Sequence, residues 1–414
     1  MAVETSQPPA LIPVDEARQA VLACFEPLPG VTIPVHESAG RFALDNNFSL
    51  TALPCFDNSA MDGYAVDHRD LSGATRENPR ILPLAGEIPA GATDIPALSS
   101  GNCLRIFTGA PLPPGATAVV MQEDTFRTED GRIAFMDSPS PWEFVRFEGE
   151  DIGRGDMIVQ RGSRINSRTV GLLAAAGIGR IHVGARPGVS ILSTGSELVP
   201  PGQNLGPGQI HESNSHMLSA MVSSCGGIPE TGAPAGDSLP QLVERLQSML
   251  ENSDLILTSG GISVGAHDLV REAWAQMGGR WTTSRISMKP GKPFSMGLLG
   301  GHKLLALPGN PVSAAMTFML FAYPAMLKMA GSSSTDAPLR AATMNESISN
   351  RENRTQFIRV VVDDENKLRS AGQQGSHHLR SLAESSGYIE LSPGETVSEG
   401  SRVMFTPWPS AEAL

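Results

Sequence analysis

After a proline-rich start, Val14, Ala17, Val21, Cys24 and Phe25 fall near helical spacing, and Asp15 and Glu16 occupy the first turn, where the helix dipole favours acid. This pattern predicts an amphipathic helix over residues 13–25, with Pro13 at its start. From 51 to 151 the period shortens: runs at 81–84, 103–107, 118–122 and 132–136 lie between Gly and Pro turns and read as strands of a β-rich region. A short helix follows at 167–177, with Ser167 as N-cap and Gly177 as C-cap.

Between 188 and 330 the texture changes again. Residues 189–193, 254–258 and 303–307 are short apolar runs without alternation, as expected of parallel strands covered on both faces. Helical patterns at 216–225, 239–252 and 268–277 separate them; in the second, Leu239, Leu242, Val243, Leu246, Met249 and Leu250 share a side. Such βαβ alternation predicts a three-layer α/β domain. Its last helix, 311–329, has proline at the first position and an internal Pro324 at which a kink or an end is expected. Residues 331–338 have linker composition, and 356–362, 388–391 and 402–405 read as strands of a small all-β domain. The expected divisions are a discontinuous N-terminal helical linking domain (8–50 with 152–187), a β-rich inserted domain (51–151), the α/β domain (188–330) and the C-terminal β domain (338–414).

Composition narrows the function. With 43 acidic against 31 basic side chains the formal net charge is -12, which argues against nucleic-acid or membrane-surface binding, since both need clustered Lys and Arg. An anionic substrate then requires cations concentrated at one site. No apolar run is expected to approach the roughly 18 residues that span a bilayer. The 4 cysteines are far apart without a CxxC pair, and Glu4 with three early prolines does not suit a signal peptide, so a reducing, cytoplasmic location is expected. Gly (43) and Pro (32) are in excess and spread along the chain, indicating many tight turns.

Three strands of the α/β region run into glycine-containing turns: STGSE at 193–197, TSGGIS at 258–263 and LPGNPVS at 307–313. In an open parallel sheet ligands bind beyond the carboxyl ends of the strands, and glycine lets backbone N–H groups approach an anion there. Neither a Walker A sequence nor GxGxxG is present. Lys289 and Lys292, separated by Pro290 and Gly291, sit on a stiff turn suited to a small, multiply charged anion. Carboxylates at Asp57, Asp62, Glu150, Asp151, Glu197, Asp237 and Asp268 lie in or near turns, and acids at several strand ends suit a hard cation such as Mg²⁺. Histidines lack ligand spacing, and there is no GxSxG elbow; a paired-carboxylate glycosidase remains open, although nothing fixes two acids at a defined separation.

Seven segments together carry a resemblance: FDNSAMDGYAV (56–66), TGAPLPPGATAVVMQE (108–123), GEDI (149–152), STGSEL (193–198), TSGGISVG (258–265), MKPGKP (288–293) and LPGNPVSA (307–314). In this order, over nearly the whole chain, the sequence resembles the molybdopterin molybdenumtransferases, the MoeA family, related to the C-terminal part of gephyrin. The resemblance implies that the α/β region is a molybdopterin-binding domain and the C-terminal domain a small β-barrel. It also implies a reaction in which adenylylated molybdopterin and molybdate, with a divalent cation, usually Mg²⁺, yield AMP and molybdenum on the dithiolene.

The residue roles it implies are catalytic for Asp57, Asp151, Glu197, Asp237 and Asp268, with Glu197, Asp237 and Asp268 as metal ligands. Molybdate falls to Lys289, Lys292, Ser295, Pro308 and Pro311. The pterin substrate falls to Thr108, Arg146, Ser259, Gly260, Gly261 and Ser376. A homodimer whose cleft is shared between subunits is implied as well. Three departures stand out: Ser196 replaces a frequent acid in STGDEL, Arg146 is the single arginine left of a run before GED, and His211-Glu212-Ser213-Asn214 stands where Tyr-Asp-Thr-Asn is frequent. Two alternatives are the preceding adenylylation of molybdopterin and a gephyrin-like scaffold. The first usually carries a GGTG turn, unlike GGIS here, and the second would tolerate loss of site residues that are retained.

Overall fold

The computed structural model describes residues 11–236, 238–260, 269–282 and 285–409. The chain forms two compact units, one from residues up to 45, 161–166 and 181 onward, the other from 46–160 and 167–180.

In the first unit a six-stranded sheet runs in the order Ile228–Thr231, Gly188–Ser193, Leu255–Ser259, His302–Leu307, Ser295–Leu299, Arg280–Trp281. The first four strands are parallel and the last two antiparallel. Adjacent residues of the central strands point to opposite faces. Val189, Ile191, Leu255, Leu257, Leu305 and Leu307 enter one core, with Leu218 and Val222 of helix Asn214–Ser224 and with Val14, Ala17 and Val21 of helix Val14–Leu22. Leu192, Ile256, Leu304 and Ala306 enter the other, against Leu242 and Leu246 of helix Leu239–Asn252 and Val270, Ala273 and Trp274 of helix Leu269–Gln276. These two cores make the three layers predicted from non-alternating strands. The antiparallel edge strands had no such signal, because SMGLL and RW are short and interrupted by glycine or charge.

The last helix of this sheet does not break at Pro324. Pro311–Thr317 passes into a π-helical turn, Phe318–Ala322, and then into Tyr323–Met329, which carries Pro324 in its first turn. Proline has no N–H to donate to the carbonyl four residues back and clashes with it; the wider turn accommodates both defects without ending the helix. Contrary to the reading of the sequence, the run Pro311–Met329, 19 residues with mean hydropathy 1.3, is long and apolar enough to cross a membrane. It is 83% buried, as a core helix is.

The C-terminal strands close on themselves: Thr355–Val362, Lys367–Ser370, Arg340–Met344, Arg402–Pro407 and Gly387–Leu391 pair in a ring that returns to Thr355–Val362. Met344, Ile358, Val360, Leu368, Leu391 and Phe405 fill this five-stranded barrel. Strand Met288–Lys289 adds to it in parallel, pairing Met288 with Thr355 and Lys289 with Gln356.

The second unit is β-rich. Its four-stranded sheet runs Leu84–Ile88, Cys103–Ile106, Gly63–Val66, Ala118–Met121. Tyr64, Val66 and Val120 face a core shared with Phe135, whereas Ala65, Leu104, Ile106 and Val119 face another. Helix Ser167–Ala175 contacts strand Met157–Val159 of the same unit.

Candidate active site

The registers Ser193 opposite Ser259 and Ser259 opposite Leu307 bring three strand ends level. The chain turns sharply at each. Gly260 has φ +87°, and a Cβ there would lie 2.5 Å from the Thr194 carbonyl oxygen, so the turn after Leu255–Ser259 admits only glycine. Beyond these ends lies a cavity of about 590 Å³ whose wall includes Glu197, Asn214, Ser259, Gly260, Pro308 and Pro311.

A buried polar network holds the wall. Glu212, 3% exposed, accepts from Ser193 Oγ at 2.8 Å, from Ser215 N at 2.8 Å and from Ser215 Oγ at 2.5 Å. It thereby caps helix Asn214–Ser224, whose N-cap residue Ser213 makes no side-chain cap bond, and ties that helix to the strand ending at Ser193. Asn214 donates both amide hydrogens, to Ser259 Oγ at 2.8 Å and to the Gly309 carbonyl at 2.7 Å, and Ser259 Oγ donates to the Pro308 carbonyl at 3.3 Å. This links two of the three strand-end turns through the helix. Asn214 Oδ1 and Thr194 Oγ1 are buried without a hydrogen-bond partner among the described residues. Among the described residues lining the cavity there is no Lys or Arg, whereas Glu197 and Glu212 are acidic.

Of the sequence-predicted site residues, Glu197, Ser259, Gly260, Pro308 and Pro311 meet at this cavity. Ser376 comes to its rim from the barrel: its carbonyl accepts from Val312 N at 3.1 Å, one residue beyond Pro311. Asp237, Gly261 and Asp268 lie outside the described residues. Ser295 is 1% exposed, stands opposite Ala306 in the sheet and accepts a hydrogen bond from the Arg271 guanidinium, so its hydroxyl is engaged. Lys289 binds Glu352 Oε1 at 2.5 Å, while Arg354 holds Glu352 Oε2 at 2.6 Å. These two cations, Lys289 first, keep the Glu352 carboxyl well below its ordinary range, at about 2. The half-buried Lys292 side chain has no partner among the described residues.

Asp57, Thr108, Arg146 and Asp151 belong to the second unit, all exposed. There, Asp57 Oδ1 accepts from Glu148 N at 2.8 Å and Arg146 pairs with Asn58, so the FDNS and VRFEGED segments run together. Thr108 donates through N and Oγ1 to Asp62 Oδ1, both at 2.7 Å, and these two bonds lower the Asp62 pKa. No group of three or more His, Cys, Asp or Glu arranged to hold a metal occurs among the described residues.

Residues 12–177 match the model of the MoeA N-terminal region (domain I and II), 190–328 that of the probable molybdopterin binding domain, and 341–408 that of the MoeA C-terminal region (domain IV). The molybdopterin molybdenumtransferase 2 of Mycobacterium tuberculosis is 37% identical over 401 residues, covering 95% of this chain and 98% of its own. The chain belongs to the MoeA family. The molybdopterin molybdenumtransferase of a Nostoc species is 35% identical over 381 residues, 89% of this chain and 87% of that one. The MoeA-family fold is seen in a crystal structure of the molybdopterin biosynthesis MoeA protein of Pyrococcus horikoshii, at TM-score 0.82 and 28% identity, covering 96% of this chain and 100% of that one.

Within this MoeA-family fold, sequence reasoning missed Glu212 as the cap, Asn214 as the bridge and Glu352 as the partner of Lys289. The first two carried a signal, since Ser213-Asn214 is a typical helix start two residues before the start predicted at 216. Glu352 carried none: it meets Lys289 across 63 residues of sequence.

Proposed function

We propose that this chain transfers molybdenum from molybdate to adenylylated molybdopterin in the strand-end cavity, releasing AMP and leaving molybdenum on the dithiolene, as a cytoplasmic homodimer. The observation that carries the reading is that cavity. It lies at the carboxyl ends of three parallel strands, inside a family whose curated relatives are named molybdopterin molybdenumtransferases. Its wall is rich in acceptors and carries no Lys or Arg among the described residues, which suits the N–H donors of a pterin better than a bare anion. The oxyanion is then met by Lys292, on the stiff turn preceding Ser295–Leu299, as a charge-assisted contact.

One carboxylate on the cavity wall is open to a divalent cation. Glu197 is exposed there and its carboxylate accepts no hydrogen bond among the described residues, whereas the Glu212 oxygens are consumed by Ser193 and Ser215. Glu197, with Asp237 and Asp268, would hold Mg²⁺, which when bound neutralises phosphate charge. The chain's own part is to seat the pterin against Asn214, Ser259 and the Pro308 to Pro311 turn, and to hold the oxyanion at Lys292. Asp57, Asp151, Thr108 and Arg146 complete the proposed set.

Purified protein given adenylylated molybdopterin should release AMP only when molybdate and Mg²⁺ are both present. Absence of AMP from folded protein overturns the reading. A monomer by light scattering at micromolar concentration overturns the dimer.

A further inference from the structure

We infer that Arg359 is a positioning residue: lodged between the barrel and the loop 371–381, it turns the Gly375–Ser376 peptide so that Ser376 offers N–H and hydroxyl donors to a tetrahedral oxyanion at the cavity rim. The inference rests on the proposed function for the source of that oxyanion, a phosphate of the adenylylated pterin or molybdate, and on geometry for the role of Arg359.

Alternation along strand Thr355–Val362 sends Ile358 and Val360 into the barrel and Arg359 to its outer face. Arg359 is fully buried there, and no carboxylate faces it among the described residues. Burial lowers its pKa to about 10, so it keeps its charge at neutral pH. Its fork is spent on the loop. Nη2 reaches the Gln373 carbonyl at 2.7 Å, Ser381 Oγ at 2.9 Å and the Gly375 carbonyl at 3.3 Å, and Nε donates to Ser381 Oγ at 3.2 Å. Nη1 is buried without a partner among the described residues. A cation buried without a counter-charge is costly, and here its field falls on peptide dipoles instead of a carboxylate.

The loop takes that field in one direction. Gln374 clamps the strand backbone, its Oε1 accepting from Arg359 N and its Nε2 donating to Arg359 O, both at 3.0 Å. The carbonyls on either side of Gln374, those of Gln373 and Gly375, then turn to the guanidinium. In a planar trans peptide the N–H lies opposite the C=O, so Ser376 N–H points away from Arg359. That N–H, Ser376 Oγ and His377 N–H have no partner among the described residues. Successive N–H groups with a cation behind them suit an oxyanion. The Ser376 carbonyl accepts from Val312 N at 3.1 Å, which holds the residue beside Pro311 of the cavity wall. Glycine at 375 makes the bend possible: a Cβ there would lie 2.7 Å from His378 Nδ1, the acceptor of Gly375 N at 3.2 Å. His378 N also reaches the Gly375 carbonyl, at 3.3 Å, so the loop keeps a tie without Arg359; what it loses outright is the charge.

A residue that only glues the loop and one that polarises it respond differently to a carboxylate placed at Ser381. Ser381→Asp gives Arg359 the counter-charge it lacks, which favours the fold but cancels the field; Ser381→Asn is the uncharged control. The experiment is steady-state AMP release on wild type, Ser381→Asp, Ser381→Asn, Arg359→Gln and Arg359→Lys, with thermal melts. Adenylylated molybdopterin is varied at saturating molybdate, and molybdate at saturating pterin. We expect Ser381→Asp to raise at least one KM by about threefold to tenfold, with kcat changed less than about twofold and Tm no lower than in Ser381→Asn. Ser381→Asn should leave both KM values within about twofold of wild type. Arg359→Gln should raise the same KM as Ser381→Asp, and Arg359→Lys should recover most of the loss. The KM that rises names the source of the oxyanion. Equal KM values in Ser381→Asp and Ser381→Asn overturn the inference, as do unchanged ones in Arg359→Gln; if Arg359→Gln does not fold, the Ser381 pair decides. If wild type releases no AMP, the proposed function has failed, and melts with pyrophosphate and with molybdate decide the inference instead. A Tm rise kept in Ser381→Asn and lost in Ser381→Asp supports it, and the same rise in both, or none in wild type, overturns it.

Discussion

Replacing Glu212 by alanine tests the idea that one buried carboxylate frames the cavity. The side chain is 3% exposed and accepts three hydrogen bonds, two from Ser215 and one from Ser193. Alanine removes the cap of helix Asn214–Ser224, worth about 1 kcal/mol. It also leaves two buried hydroxyls, Ser193 Oγ and Ser215 Oγ, without an acceptor, at about 1 kcal/mol each. The total is roughly 3 kcal/mol. At roughly 2–4 °C per kcal/mol for a domain of 150–250 residues, the melting transition should fall by roughly 6–12 °C. Glutamine keeps one acceptor for Ser215 N and can donate to a serine hydroxyl, so Glu212→Gln should lose only about 1 kcal/mol. Differential scanning calorimetry with far-UV circular dichroism measures both. A transition for Glu212→Ala within about 2 °C of wild type, or Glu212→Gln less stable than Glu212→Ala, would refute the reasoning.

Further outcomes follow from the same geometry. Gly260→Ala should destabilise by roughly 1–3 kcal/mol, because it forces a Cβ at positive φ against the Thr194 carbonyl; an unchanged chemical-denaturation midpoint refutes the close approach. The Glu352 carboxyl lies at about 2 against an ordinary 4.5, so its stabilising contribution is complete above the ordinary value and is lost as pH falls toward 2. The Tm gap between wild type and Glu352→Gln should therefore narrow through that window; a gap that widens on acidification contradicts the ion pair. Lys292→Met should raise the KM for molybdate by about tenfold or more, measured by AMP release; an unchanged KM removes Lys292 from the oxyanion site. Glu197→Gln should raise the Mg²⁺ concentration giving half-maximal AMP release several-fold, and an unshifted Mg²⁺ titration counts against Glu197 as a ligand.

Much of the α/β domain was legible because burial on both faces writes itself as uninterrupted apolar runs. Residues 189–193, 254–258 and 303–307 fall within one residue of the strands Gly188–Ser193, Leu255–Ser259 and His302–Leu307. The strand-end glycines were equally readable, since a turn that brings Gly260 against Thr194 leaves little choice of residue. The span of Pro311–Met329 was readable too, but the π-helical turn inside it was not, because such a turn is set by how a proline is accommodated rather than by local preference. Nor was the ion pair that sets Lys289 apart from Lys292. Both flank the same Pro-Gly turn, and what distinguishes them is a carboxylate supplied by the barrel.

Residues 331–338 have the composition of a joint, yet packing runs straight across them. Phe357 and Tyr388 of the barrel belong to the same apolar cluster as Val189, Leu305 and Phe321 of the α/β half, and Trp408 packs against it. Ser333 donates to the Gly162 carbonyl and Asp336 holds Arg18, so the segment itself is tied down. The peptide there is a covalent connection without being a thermodynamic boundary. A protease that nicks it should release no fragment under native conditions, and a chain ended before the barrel should present a freshly cut apolar core to solvent and be captured by chaperones or degraded.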